Sequence, residues 1–106
     1  MVNVKNNGTL PFMADDDIVE VAAVIGSDGA HPVPVTEHIN DHIIGLMRVV
    51  KTYEKYTVKA AIKGSDEDAI KGLLVHPLVG DWEKAVNCFN ELKEANKEYL
   101  PKSFSK

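Results

Sequence analysis

The stretch Thr36–Gly64, TEHINDHIIGLMRVVKTYEKYTVKAAIKG, is the longest unbroken helical pattern in the chain, and its reading decides the fold. Core-facing positions fall at Ile39, Ile43, Met47, Val50, Thr57 and Ala61, widened by Ile44, Leu46, Tyr53, Val58 and Ile62, the three-and-four spacing of a helix with one buried side. Thr36 is a ready N-cap, Glu37 places a negative charge in the first turn, and Gly64 supplies the left-handed residue that commonly ends a helix. The pattern predicts a long helix over residues 36–64, with no proline to break it.

Downstream, Ser65 caps a second helix over 65–76, with Asp68 placed to complete an acidic variant of the capping box and Pro77 as the stop. Ala69, Ile70, Leu73 and Leu74 form its buried side, and Gly72 either weakens the helix slightly or permits close approach of a neighbour. A third helix is predicted over 81–99 with Asp81 as cap, Trp82, Val86, Phe89, Leu92 and Tyr99 along its apolar stripe, and Pro101 as terminator. The short connections favour antiparallel packing of the three helices. The tail KSFSK reads as frayed.

Upstream, residues 18–35 read as a strand pair. Ile18–Ile25, IVEVAAVI, is β-branched and apolar on both faces, the character of a buried strand with a neighbour on each side. His31–Val35, HPVPV, is extended because each proline drives its predecessor out of the helical region, and Gly26–Gly29 provides the turn of a hairpin between them. Residues 1–17 read as a connecting segment in which Val2 and Val4 alternate as on an edge strand. Asn6-Asn7-Gly8 then makes a turn. The fold class is α+β, mainly α-helical: a strand or β-hairpin followed by three antiparallel helices in a single module over 1–106.

Composition narrows the function. The chain has 106 residues, 12 basic and 16 acidic, for a net charge of -4, and the basic residues are scattered along helix faces, so nucleic acid is not an expected partner. No run approaches the roughly 18–20 apolar residues of a membrane span, and the single Cys88 cannot close an internal disulfide; no membrane partner and a cytoplasmic location are expected.

Candidate chemistry is sparse. Asp15, Asp16 and Asp17 lack the glycine and distal glutamate of a calcium loop and read as a solvated acidic turn. His38 and His42 lie one helical turn apart on the predicted helix, a spacing that can hold a transition metal, but no third ligand is in view. Cys88 sits beside Phe89 and Leu92 as a packing residue. No G-x-G-x-x-G, P-loop or nucleophile-elbow pattern occurs. The residues alone therefore supply no catalytic, cofactor-binding or metal-binding position.

Six blocks in order, NNG, LPFMADDDIVEVAAVI, GAHPVPV, LMRVVKTYEKYTVKAAIKG, LLVHPLVGDWEKA and EANKEYLP, resemble the C-terminal end of family 4 glycoside hydrolases, most closely the 6-phospho-β-glucosidases, over Asn6 to Pro101. The resemblance implies a C-terminal segment of a larger α/β enzyme in which NAD and a divalent metal, usually Mn2+, support cleavage of 6-phospho-β-glucosides by oxidation, elimination and addition, an exception to the paired-carboxylate route of most glycosidases. It places the dinucleotide loop, the metal-binding cysteine and histidine, and the tyrosine base upstream of this sequence. The fragment is expected to be inert alone, with no cofactor of its own. Its implied partners are the N-terminal dinucleotide-binding part, the 6-phospho-glucoside substrate and further copies in a homo-oligomer. Asn6 and Asn7 match a block expected near the substrate cleft. The competing expectation is a free-standing helical protein-interaction module.

Overall fold

The computed structural model describes residues 1–105, without the side chains of Ser103 and Ser105. Two antiparallel strand pairs precede three helices, so the α+β, mainly helical class stands. The chain divides into two compact units, a β-unit over Met1–Ile44 and a helical unit from Gly45 onward.

In the β-unit, β1 (Val2–Lys5) pairs with β2 (Ile18–Val21), Val2 opposite Val21 and Lys5 opposite Ile18. The connecting segment thus contains a paired strand. Alternation on β2 turns Val19 and Val21 inward, at 5% and 4% exposure, and leaves Ile18 outward at 55%. The single strand expected over Ile18–Ile25 is broken at Ala22, after which β3 (Ala23–Gly26) pairs with β4 (Gly29–Pro32). Val24 and Ile25 of this apolar run are exposed in this chain. The second strand of the hairpin starts at Gly29 and ends at Pro32, earlier than expected at both ends, although Val33 N still donates to Ala22 O at 2.9 Å. A Cβ at Gly26 would lie 2.6 Å from Asp28 Oδ1, so a larger residue there would push the exposed Asp28 side chain aside. His31 Nε2 lies 2.9 Å from the same oxygen, which holds the Asp28 carboxyl below its usual range.

Helix α1 (Asp41–Lys63) starts five residues later than Thr36. Asn40 takes the cap, its Oδ1 accepting from His42 N at 2.8 Å while its carbonyl accepts from Ile44 N. The far end is as expected: Gly64 has φ +64°, and its N–H donates to Ala60 O at 2.8 Å. Helix α2 (Asp66–Val75) is capped by Ser65, whose hydroxyl accepts from Asp68 N at 3.1 Å. The return half of the capping box is absent. Ser65 N donates to Ala60 O, and Asp68 Oδ1 instead accepts from Lys59 Nζ at 2.8 Å, tying α2 to α1. That lysine hydrogen bond is the main reason the Asp68 carboxyl is held below the usual range.

Helix α3 (Trp82–Ala95) begins at the Asp81 cap, which accepts from Lys84 N at 2.9 Å, but it ends a turn early at Asn96. Trp82 and Tyr99, expected on its buried stripe, are 57% and 84% exposed. The core of the helical unit gathers Ala60, Phe89 and Phe104, with Ala69, Ile70, Leu73 and Leu100 packed against them. Gly72 makes this possible: a Cβ there would lie 3.3 Å from Tyr56 Cβ, so α2 meets α1 closely at that point. Phe104 belongs to a final 3-10 turn, Lys102–Ser105, so the tail read as frayed is anchored through Phe104; its last residue, Lys106, lies outside the described residues. Lys93 Nζ donates to Asp66 Oδ2 at 2.7 Å and links α3 to α2.

Candidate functional site

The most constructed polar feature lies in the β-unit, in the twelve-residue loop 6–17 that joins β1 to β2. Its ends are fixed by strand pairing and by Asn6 N donating to Asp17 O at 2.7 Å. Asn6 is the hub. Its side chain is fully buried, and the Nδ2 group donates to Leu10 O at 3.0 Å and to Met13 O and Ala14 O at 3.1 Å each, while Oδ1 accepts from Leu10 N at 2.7 Å. A buried amide is tolerated only when satisfied in this way, and once satisfied it holds the surrounding backbone to one geometry. Asp17, 6% exposed, closes the other end: its Oδ2 accepts from Ala14 N at 3.2 Å.

This arrangement separates the two asparagines that the sequence puts forward together. Asn6 faces inward and does not line an open surface of this chain. Asn7 is exposed, with φ +43°, a left-handed conformation that asparagine tolerates better than most residues, and Gly8 follows at φ +84°. Among the three aspartates, Asp15 and Asp16 are exposed while Asp17 is internal. They do not converge.

The remaining candidates are dispersed. His38 precedes α1 and His42 lies in its first turn, so the one-turn helical spacing expected of them is not formed. Among the described residues no three His, Cys, Asp or Glu side chains gather in a way that could hold a metal ion. No described helix is long and apolar enough to cross a membrane. Cys88 is half-buried on α3.

One cavity was missed in the sequence. A groove of about 400 Å³ lies wholly within the helical unit, between Tyr53, Thr57 and Ala61 of α1, Phe89 and Leu92 of α3, and Phe104 of the tail. The missing signal was Phe104, an isolated aromatic in a polar tail. Without its docking one wall is absent.

Residues 1–79 match the family 4 glycosyl hydrolase C-terminal domain. The chain is 36% identical over 101 residues to the 6-phospho-beta-glucosidase BglT of Thermotoga maritima, covering 94% of this chain and 24% of that protein. It is 33% identical over 105 residues to a probable 6-phospho-beta-glucosidase of Bacillus subtilis, covering 99% and 24%. Among solved structures, a 6-phospho-alpha-glucosidase from gut microorganisms in complex with NAD and Mn2+ superposes with a TM-score of 0.87 at 29% identity, over 93% of this chain and 23% of that one. The chain thus spans about a quarter of the length of the curated relatives it matches. On the match over residues 1–79, which takes in both strand pairs, the Asn6 loop, α1 and α2, the chain belongs to the C-terminal domain family of family 4 glycosyl hydrolases.

Proposed function

We propose that this chain is the C-terminal domain of an NAD- and divalent-metal-dependent glycosidase acting on 6-phospho-β-glucosides by oxidation, elimination and addition, and that the domain contributes packing and cleft wall, not reacting groups. The observation that carries this reading is the 36% identity to a 6-phospho-beta-glucosidase along 94% of the chain. A solved relative holds NAD and Mn2+.

This chain's own residues do not fit either group. No strand is followed by a glycine-rich dinucleotide loop, and among the described residues no metal-ligand cluster forms. Both groups, and the reaction steps that depend on them, belong to the other three quarters of such an enzyme. What this chain supplies is a pre-shaped loop: Asn6 and Asp17 hold segment 6–17 so that Asn7 is presented outward, where its amide can donate to and accept from sugar hydroxyls without reorganising.

The test joins this chain to the upstream three quarters of the Thermotoga enzyme and measures release of p-nitrophenol from 6-phospho-β- and 6-phospho-α-glucosides with NAD and Mn2+. Turnover of the β-substrate supports the reading. No turnover of either substrate overturns the reading.

A further inference from the structure

The helical unit buries only part of the apolar stripe that the sequence assigns to α1, with Met47, Val50 and Tyr53 half-buried. Within α1, Ala60 is buried, whereas Leu46 is 44% exposed and Thr57 and Ala61 are exposed. Leu46, Val50, Tyr53, Thr57 and Ala61 follow one another at helical spacing and lead into the groove of about 400 Å³. A second apolar face thus borders an unfilled apolar groove, all on one unit.

Three of the polar groups around that groove are engaged within the unit. Thr57 Oγ1 donates to Tyr53 O at 3.0 Å, Lys93 Nζ to Asp66 at 2.7 Å, and Asn96 Nδ2 to Leu92 O at 2.8 Å. A small polar ligand needs convergent hydrogen-bonding groups to orient it, whereas a polypeptide segment laid in a groove needs apolar pockets for its anchors. The groove offers the second kind of recognition.

We infer that this groove seats an apolar segment of the remaining three quarters of a family 4 enzyme chain, an assignment that rests on the reading of this chain as such an enzyme's C-terminal domain. The chain covers 24% of its relatives' length, so most of such a polypeptide lies outside it. A tethered segment is present at an effective concentration in roughly the millimolar range, far above that of a free second copy in dilute solution, so it wins the groove at comparable complementarity.

The test places glutamate at Ala61 and Leu92, both open to solvent in this chain, one exposed and the other at 50%. In the 106-residue chain, Ala61→Glu and Leu92→Glu leave the circular dichroism spectrum and melting temperature unchanged. In the intact Thermotoga maritima enzyme, glutamate at the two aligned positions lowers the melting temperature by about 5 °C or more and makes the C-terminal quarter releasable by limited proteolysis. Equal tolerance in both proteins, or equal damage in both, overturns the inference. So does a dimer of the free chain that Leu92→Glu dissociates, which gives the groove to a second copy. None of these readouts uses turnover, so they fail separately from the activity of the fused enzyme.

Discussion

Replacing Asn6 by aspartate keeps the shape of the side chain and reverses one half of its hydrogen bonding. The Nδ2 group now donates to three carbonyls, of Leu10, Met13 and Ala14, at 3.0–3.1 Å. In Asn6→Asp a carboxylate oxygen faces those carbonyls and can donate to none of them. Each hydrogen bond is worth about 1 kcal/mol net, and a buried acceptor left unpaired costs about 1–3 kcal/mol. Because only the Leu10 bond is fully buried, water can satisfy part of the other two, so the loss sums to about 3–5 kcal/mol. Against a typical domain stability of roughly 5–15 kcal/mol this is enough to open the β-unit in a measurable fraction of molecules. The assay is urea unfolding together with amide hydrogen exchange: protection at Asn7–Asp17 collapses, while protection in α2 and α3 holds. Asn7→Ala, at the exposed neighbour, costs only about 1 kcal/mol through its positive φ. Stability of Asn6→Asp within about 1 kcal/mol of wild type, with loop protection intact, would refute the hub role assigned from the geometry.

Three other outcomes are expected. Phe104→Ala costs about 3 kcal/mol or more by emptying part of the core shared with Ala60 and Phe89, read as a lower denaturation midpoint; an unchanged midpoint would mean the tail does not dock. Gly72→Leu destabilises by about 2 kcal/mol or more, since even a Cβ at that position would lie 3.3 Å from Tyr56 Cβ, although leucine is the better helix former and would stabilise an open site. Asp68 has a lowered folded-state pKa, so its pairing with Lys59 stabilises fully above the ordinary carboxylate range and that contribution is lost as pH falls through the lowered value. Asp68→Asn should therefore flatten the acid limb of the stability–pH curve; a limb of unchanged steepness would count against the pairing.

How far the sequence could be read depends on how local each cause was. Ser65, Asp81 and Gly64 were legible because a cap answers to backbone groups within a few residues. Thr36 was the wrong start because Asn40 is an equal cap, and only the path of the chain beyond β4 decides which is used. The division of Ile18–Ile25 at Ala22 depends on two different partner strands, and a run of β-branched residues does not show where one partner gives way to the next. Periodicity located α1 and its half-buried Met47, Val50 and Tyr53 but missed Ala60, which packs with Phe89 and Phe104 far along the chain. At the candidate site, Asn6 and Asn7 were picked out as a pair. Their opposite roles turn on carbonyls seven and eight residues downstream, which no side-chain pattern reveals.

The proposed role, completing a phosphoglycosidase whose reacting groups lie upstream, is open to a simple comparison. The most direct measurement compares the purified chain with the same chain fused to the upstream three quarters of the Thermotoga enzyme, assaying p-nitrophenyl 6-phospho-β-glucoside with NAD and Mn2+ at equal concentrations. No turnover above the uncatalysed rate is expected from the chain alone, and restored turnover from the fusion. Turnover by the chain alone would contradict that role.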